Sequence, residues 1–141
     1  MADQPTIVNS DYSEIAMFNN TYGDRTVTVA AGDTLAKYTV LGIDSTSGKM
    51  ELFASDATDG TDTPRAILMQ ELDNSAGGSA ADFDRIQVML TGALDSALIV
   101  FDNGTDTLDT MTGAGTRVRD ALKTEGLLAI ERNVLDSLDN Q

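Results

Sequence analysis

A mainly β domain of short strands, with one short helix near the C terminus and an extended N-terminal arm, is the fold class this sequence predicts. Three observations predict it. Polar and apolar residues alternate at Thr26-Val27-Thr28-Val29 and again at Arg85-Ile86-Gln87-Val88-Met89-Leu90, the period of a half-buried strand. Clusters of Asp, Gly, Ser and Thr separate these runs, and such residues form turns. Only one segment repeats apolar residues at helical spacing: Val118, Ala121 and Leu122 stand at i, i+3 and i+4 between Thr116 and Gly126.

At 141 residues the chain has the length of one domain. It divides into an extended arm over 1–24 and a single β-rich domain over 25–141. The arm carries strand-sized apolar islands, Ile7-Val8 and Ile15-Ala16-Met17-Phe18, in polar surroundings without a basic residue. Two readings are open for it. One is a frayed terminus; the other is an extended segment that orders against a partner.

After the turn Ala31-Gly32-Asp33, the β-branched and apolar run Tyr38 to Ile43 predicts a strand. The turn Asp44-Ser45-Thr46-Ser47-Gly48 and the run Lys49 to Ala54 complete a hairpin, with Met50, Leu52 and Ala54 sharing a face. An acidic loop over 55–63 ends at Pro64. Ala66-Ile67-Leu68-Met69 then reads as a strand buried on both faces, and residues 73–84 as a Gly/Ala/Ser loop. Ile86, Val88 and Leu90 point inward from the next strand. Gly92 marks a bulge or a close backbone approach, and the tract Ala97 to Phe101 ends the β region. Thr116 is the expected N-cap of the helix and Gly126 its left-handed terminator. The tail fits either element: Leu127, Ile130, Val134 and Leu138 suit a helix, while residues 127–131 suit a strand, the reading adopted here.

Composition removes several chemistries. Without Cys, His or Trp there are no zinc or blue-copper sites, no thiol nucleophiles and no imidazole-dependent triads. Nine basic against 23 acidic residues give a formal net charge of -14. Such a surface repels phosphate backbones and anionic lipid, so neither nucleic acid nor membrane is an expected partner. The longest uncharged apolar tract, 97–101, is strand-sized, and residues 1–5 lack the basic and apolar regions of a signal peptide, so cytoplasmic synthesis is expected.

Asp56, Asp59 and Asp62 flank Gly60 and are weak candidates for holding a hard cation. Their order differs from the EF-hand loop, and turn formation accounts for them; no metal and no cofactor is expected. Asp102-Asn103-Gly104-Thr105-Asp106 has the same character. Gly113-Ala114-Gly115-Thr116 lacks the remaining residues of a phosphate loop, and helix initiation explains it. Arg117, Arg119 and Lys123 form the densest basic cluster, either a solvated helix face or a contact with an acidic neighbouring subunit. Met17, Met50, Met69 and Met89 read as core. No apolar pocket or aromatic sugar platform supports a carboxylate-pair hydrolase, and no enzyme is expected.

The order of pieces carries a resemblance. Leu41-Gly42-Ile43-Asp44-Ser45-Thr46-Ser47-Gly48-Lys49-Met50 leads to the Asp59-Gly60 turn, the apolar strand 66–69, an Ala/Gly/Ser loop, an alternating strand and Gly92. This succession, over about residues 34–131, resembles the head decoration proteins of tailed bacteriophages, the family of the lambda capsid-stabilising protein. Ala66 stands where the family pattern leads one to expect glycine, and the acidic loop 55–63 is longer. The resemblance implies a small β-barrel or β-tulip-like domain without catalysis. It also implies homotrimers at three-fold positions on the outside of the expanded phage head, binding the major capsid protein and stabilising the shell against internal DNA pressure. By that analogy the arm extends a capsid β-sheet, with Thr6, Ile7, Val8 and Tyr12 as the expected contacts. The alternative is a calcium-dependent adhesion or carbohydrate-binding β module using the Asp-rich loops.

Overall fold

The computed structural model describes residues 20–131. The strands are Thr21–Val29 (β1), Thr34–Leu35 (β2), Val40–Ile43 (β3), Met50–Leu52 (β4), Ala66–Leu68 (β5), Leu72–Asp73 (β6), Ala81–Asp95 (β7) and Leu127–Ile130 (β8). One α-helix, Val118–Thr124 (α1), and a 3₁₀ turn, Ser96–Leu98, complete the elements. Strands β1, β4, β3, β5 and β7 pair in that order, and β7 pairs back to β1, closing a five-stranded barrel. β8 adds to the C-terminal half of β7 in parallel, Gly92 opposite Leu127 through Asp95 opposite Ile130. β2 and β6 form a separate two-stranded ribbon.

Two cores lie on opposite sides of the barrel wall. Val27, Val29, Leu41, Met50, Ala66, Leu68, Ile86 and Val88 fill the interior, and Leu35 and Leu72 of the ribbon join them. Tyr38, Val40, Phe53, Ile67, Met89 and Leu94 form the second core with Val118, Leu122 and Leu127. Strand side chains alternate between faces, so β3, β5 and the part of β7 around Val88 and Met89 must be apolar on both: Leu41 faces one core and Val40 the other. This is why 66–69 reads as an unbroken apolar run. β1 is buried on one face only. Its outward Thr26 and Thr28 hydroxyls donate to Asp84 (2.8 Å) and Asp82 (2.7 Å) on β7.

The hairpin forms as the sequence predicts, with Leu41 opposite Leu52 and Ile43 opposite Met50. Asp44 accepts from the Thr46 and Ser47 N–H groups, and Gly48 adopts φ +71. The face assignment for 49–54 needs an addition. Phe53, on the side opposite Met50, is among the largest fully buried side chains.

Several boundaries differ from expectation. β1 opens at Thr21, so paired strand reaches into the stretch read as arm. Tyr38 does not extend β3: its φ is +73, and the Thr39 hydroxyl is turned to the Ala36 carbonyl and the Asp102 carboxylate. The supposed loop 73–84 contains the end of β6 and the start of β7. Residues 97–101 are not a strand. Asp95 accepts from the Ala97 N–H and starts a 3₁₀ turn, after which Val100 alone makes a bridge, to Thr39. Thr116 does not cap α1. The Val118 and Arg119 N–H groups donate to the Thr110 and Leu108 carbonyls, so backbone supplies what a capping side chain otherwise does. Gly126 ends the helix at φ +90, as predicted, and 127–130 is strand.

Candidate partner-binding surfaces

The described residues begin at Asn20, immediately before β1. The Thr21 and Thr91 hydroxyls meet at 2.6 Å, and Asn20 lies directly over Gly92. A Cβ on Gly92 would stand 1.9 Å from Asn20 Oδ1 and 2.9 Å from its Cα, so the glycine is what permits the crossing. There β7 exchanges partners, from β1 at Thr91 to β8 at Gly92. Thr6, Ile7, Val8 and Tyr12 lie outside the described residues.

One flank of the barrel carries an acidic groove of about 320 Å³, whose lining includes Asp33, Glu51 and Asp59 among small apolar side chains such as Ala54, Ala57 and Ala80. Burial raises the Glu51 carboxyl above its ordinary value, and the charges of Asp44, Asp59 and Asp82 add to the rise. Asp59 is held low by the Thr61 hydroxyl and N–H, and Asp82 by the Lys49 ammonium and the Thr28 hydroxyl. An acid raised by folding opposes folding while ionised, and that cost vanishes as pH falls below its unfolded value. Glu51→Gln is therefore expected to raise the melting temperature at pH 7 and to leave it unchanged near pH 3. Thermal denaturation at the two pH values checks this.

The Asp-rich loops are tied into the fold by their own hydrogen bonds. Asp59 Oδ1 accepts from the Thr61 N–H (3.0 Å) and hydroxyl (2.6 Å); Asp56 is exposed, and Asp62 is half-buried beside Gly113. Among the described residues no group of three or more carboxylates converges to hold an ion. In the second loop Asp106 is buried. Its carboxylate accepts from the Ser55 N–H (2.9 Å), the Ser55 hydroxyl (2.6 Å) and the Asn103 amide. Burial pushes Asp106 up, but these three donors outweigh it and hold the group below its ordinary value. Asp102 likewise accepts from the Ala36 N–H at 2.7 Å. Sequence reasoning missed these roles: Asn103 and Asp106 show the local turn signal, but Ser55 and Ala36 are distant in the chain.

A further face is built by α1 and the turn before it. Val118 and Leu122 point into the core, which leaves Arg117 and Lys123 exposed and Arg119 only 3.9 Å from Asp109. Met111, 54% exposed, makes a bridge to Arg117. A cavity of about 160 Å³ opens beside α1, and the buried Thr112 lines it.

No helix among the described residues is long and apolar enough to cross a membrane. No curated protein matches the chain. The family model for bacteriophage lambda head decoration protein D matches residues 15–121, from the last part of the arm to the middle of α1. The match takes in every strand of the closed barrel and leaves Thr6, Ile7, Val8 and Tyr12 outside it. Since it spans more than half of the sequence, this chain belongs to the bacteriophage lambda head decoration protein D family, whose role is structural.

Proposed function

We propose that this protein binds the outer surface of the expanded phage head as homotrimers at three-fold positions and stabilises the shell against the pressure of packaged DNA, without catalysis. The observation that carries this reading is the family match over residues 15–121. The physics is linkage: a ligand that binds only the expanded shell stabilises that shell over every competing state. Three chains acting together also raise one another's effective concentration, so weak individual contacts hold firmly. The net charge of -14 suits a surface that faces solvent rather than nucleic acid. Synthesis in the host cytoplasm and the major capsid protein as partner belong to the same reading.

The arm supplies the docking strand in this proposal, with Thr6, Ile7, Val8 and Tyr12 in contact. An extended segment with apolar residues can add to an open sheet edge, gaining main-chain hydrogen bonds and side-chain pockets together. Co-sedimentation with expanded, undecorated shells tests it, comparing the full chain with a chain lacking residues 1–19. The deletion stops there because Asn20 packs on Gly92 and Thr21 begins β1. Saturable binding by the full chain is expected, with loss of at least about tenfold in affinity for the deletion and for Ile7→Asp with Val8→Asp, each tenfold being about 1.4 kcal/mol. Undiminished binding by a deletion whose melting temperature matches the full chain overturns the role of the arm. Failure of the full chain to sediment overturns the capsid reading.

A further inference from the structure

The loop that follows the 3₁₀ turn carries a chemically labile pair that the fold holds still. Asn103-Gly104 is the one Asn-Gly step in the sequence. Glycine has no side chain to shield its main-chain nitrogen, so at such a step that nitrogen can attack the preceding side-chain amide. The attack needs a Gly104 nitrogen free to lose its proton and an Asn103 side chain free to turn toward it. Neither is free. The Gly104 N–H donates to the Phe101 carbonyl at 3.2 Å, with Gly104 at φ +73. Asn103 Oδ1 accepts from the Thr105 N–H at 3.2 Å and the Asp106 N–H at 3.0 Å, and its amide nitrogen donates to the Asp106 carboxylate. That carboxylate is held ionised by its donors, so it has no proton to give to departing ammonia, and its charge opposes the anion through which the attack passes.

The loop is fastened on both sides of the pair. Before it, the Phe101 ring meets Phe53 edge-on at 6.1 Å, and Asp102 accepts from the Ala36 N–H at 2.7 Å and the Thr39 hydroxyl at 3.0 Å. After it, the buried Asp106 accepts from the N–H and hydroxyl of Ser55 at 2.9 and 2.6 Å. These fasteners belong to two distant stretches, 36–39 and 53–55. Asn103 can therefore turn onto Gly104 only when the loop parts locally from them, and the reaction samples only that open fraction.

We infer that Asn103-Gly104 is a deamidation site which the fastened loop keeps closed, and that modification there loosens the loop irreversibly. In the open loop the Gly104 N–H loses its proton to hydroxide and the nitrogen bonds to Asn103 Cγ. The Cγ–Nδ2 bond then breaks, and ammonia leaves with a proton taken from water. Water opens the cyclic imide at either carbonyl, so the net change is amide plus water to carboxylic acid plus ammonia. The product is aspartate or its β-linked isomer. Either one sets a second carboxylate where a donor faced Asp106, turning an attraction into a repulsion between like charges.

Full-length chain kept near pH 8 tests this, folded and in guanidinium chloride above its unfolding midpoint, with deamidation at each asparagine read by peptide mass spectrometry. Asn103 is expected to react at least about tenfold more slowly in the folded chain, because only the open fraction reacts. Ser55→Ala removes one donor to Asp106, and Thr39→Val removes one to Asp102. Each is expected to speed folded-state reaction at Asn103 about fivefold, the factor of one lost hydrogen bond, while the buried Asn74 keeps its rate. Asn103→Asp, one of the two products, is expected to lower the melting temperature by about 4 °C or more. Equal rates at Asn103 in folded and unfolded chain, or no reaction there in the unfolded chain, overturns the closed site. So does a failure of both variants to accelerate Asn103, or an equal acceleration of Asn74. An unchanged melting temperature for Asn103→Asp overturns the loosening. All of these measurements use the free chain, so they decide the matter whether or not the chain binds shells.

Discussion

Gly92→Ala is expected to destabilise the barrel by about 3–5 kcal/mol, from two separate causes. The first is backbone conformation. Gly92 has φ +137, where an L side chain is strained by on the order of 1–3 kcal/mol. The second is contact: the new methyl group meets Asn20 Oδ1 and, less avoidably, Asn20 Cα at 2.9 Å. Relief would require β1 to move away from β7 at the point where Gly92 also donates its N–H to the Gly126 carbonyl at 2.9 Å. Urea denaturation checks the magnitude. Asn20→Ala separates the causes, since Asn20 Oδ1 is itself buried without a partner among the described residues and its removal alone is expected to cost little. In the double variant the Oδ1 clash disappears while the φ strain and the approach to the Asn20 backbone remain. About 1–2 kcal/mol of the loss should return; a loss unchanged by Asn20→Ala assigns the whole effect to backbone.

Gly92 also shows how far the sequence could be read. A glycine interrupting an alternating strand signals a close approach, and that much was legible. The approaching residue was not, because Asn20 sits far upstream in a polar stretch with no strand signal. The same division holds elsewhere. Strands with one buried face, such as β1, announce themselves by alternation, and the two-faced β5 by an unbroken apolar run. Tyr38 is β-prone by type and was read as strand, yet its left-handed backbone is held from outside, with its N–H on the Leu68 carbonyl and its carbonyl accepting from Val100. Asp102 and Asp106 look like surface turn residues and are fasteners between loops. Their partners are set by topology, to which local pattern is blind.

The arm exposes the same limit from the functional side. Its apolar islands are readable, but a strand proposed to pair with another protein has no partner in its own sequence to confirm the register. Thr112 is the converse case. Nothing in Met111-Thr112-Gly113 distinguishes this threonine from the many in turns, and only the assembled fold reveals that its hydroxyl is buried and has no partner among the described residues.

Asn74→Asp is expected to lose about 3–5 kcal/mol at pH 7, more than Asn74→Ala, although the two side chains differ by one atom type. Asn74 is buried where the turn after β1 meets the loop before β7. Its amide nitrogen lies 3.1, 2.9 and 3.0 Å from the carbonyl oxygens of Val29, Ala30 and Ser79. An amide carries only two hydrogens, so one is shared among these acceptors. Alanine removes the donors, which takes a bond from the buried Val29 carbonyl while the Ala30 carbonyl keeps the Asp33 N–H at 3.2 Å, at about 1–3 kcal/mol. Aspartate replaces the donor nitrogen with an anionic oxygen facing three carbonyl dipoles, which adds repulsion to the lost bonds. Only the protonated acid can donate there, so its folded pKa must lie above the unfolded value. A group raised by folding opposes the fold while ionised, and the opposition fades as pH falls through its folded pKa. The deficit of Asn74→Asp relative to Asn74→Ala should therefore narrow between pH 7 and pH 4, as followed by urea denaturation at each pH. A constant gap would place the cost in geometry rather than charge. The Gly77 side adds a second constraint, because Asn74 Oδ1 occupies the space a Cβ on Gly77 would need, at 2.0 Å. The loop has thus traded one residue's side chain for the other's, and Gly77→Ala should displace the same amide and approach the Asn74→Ala loss.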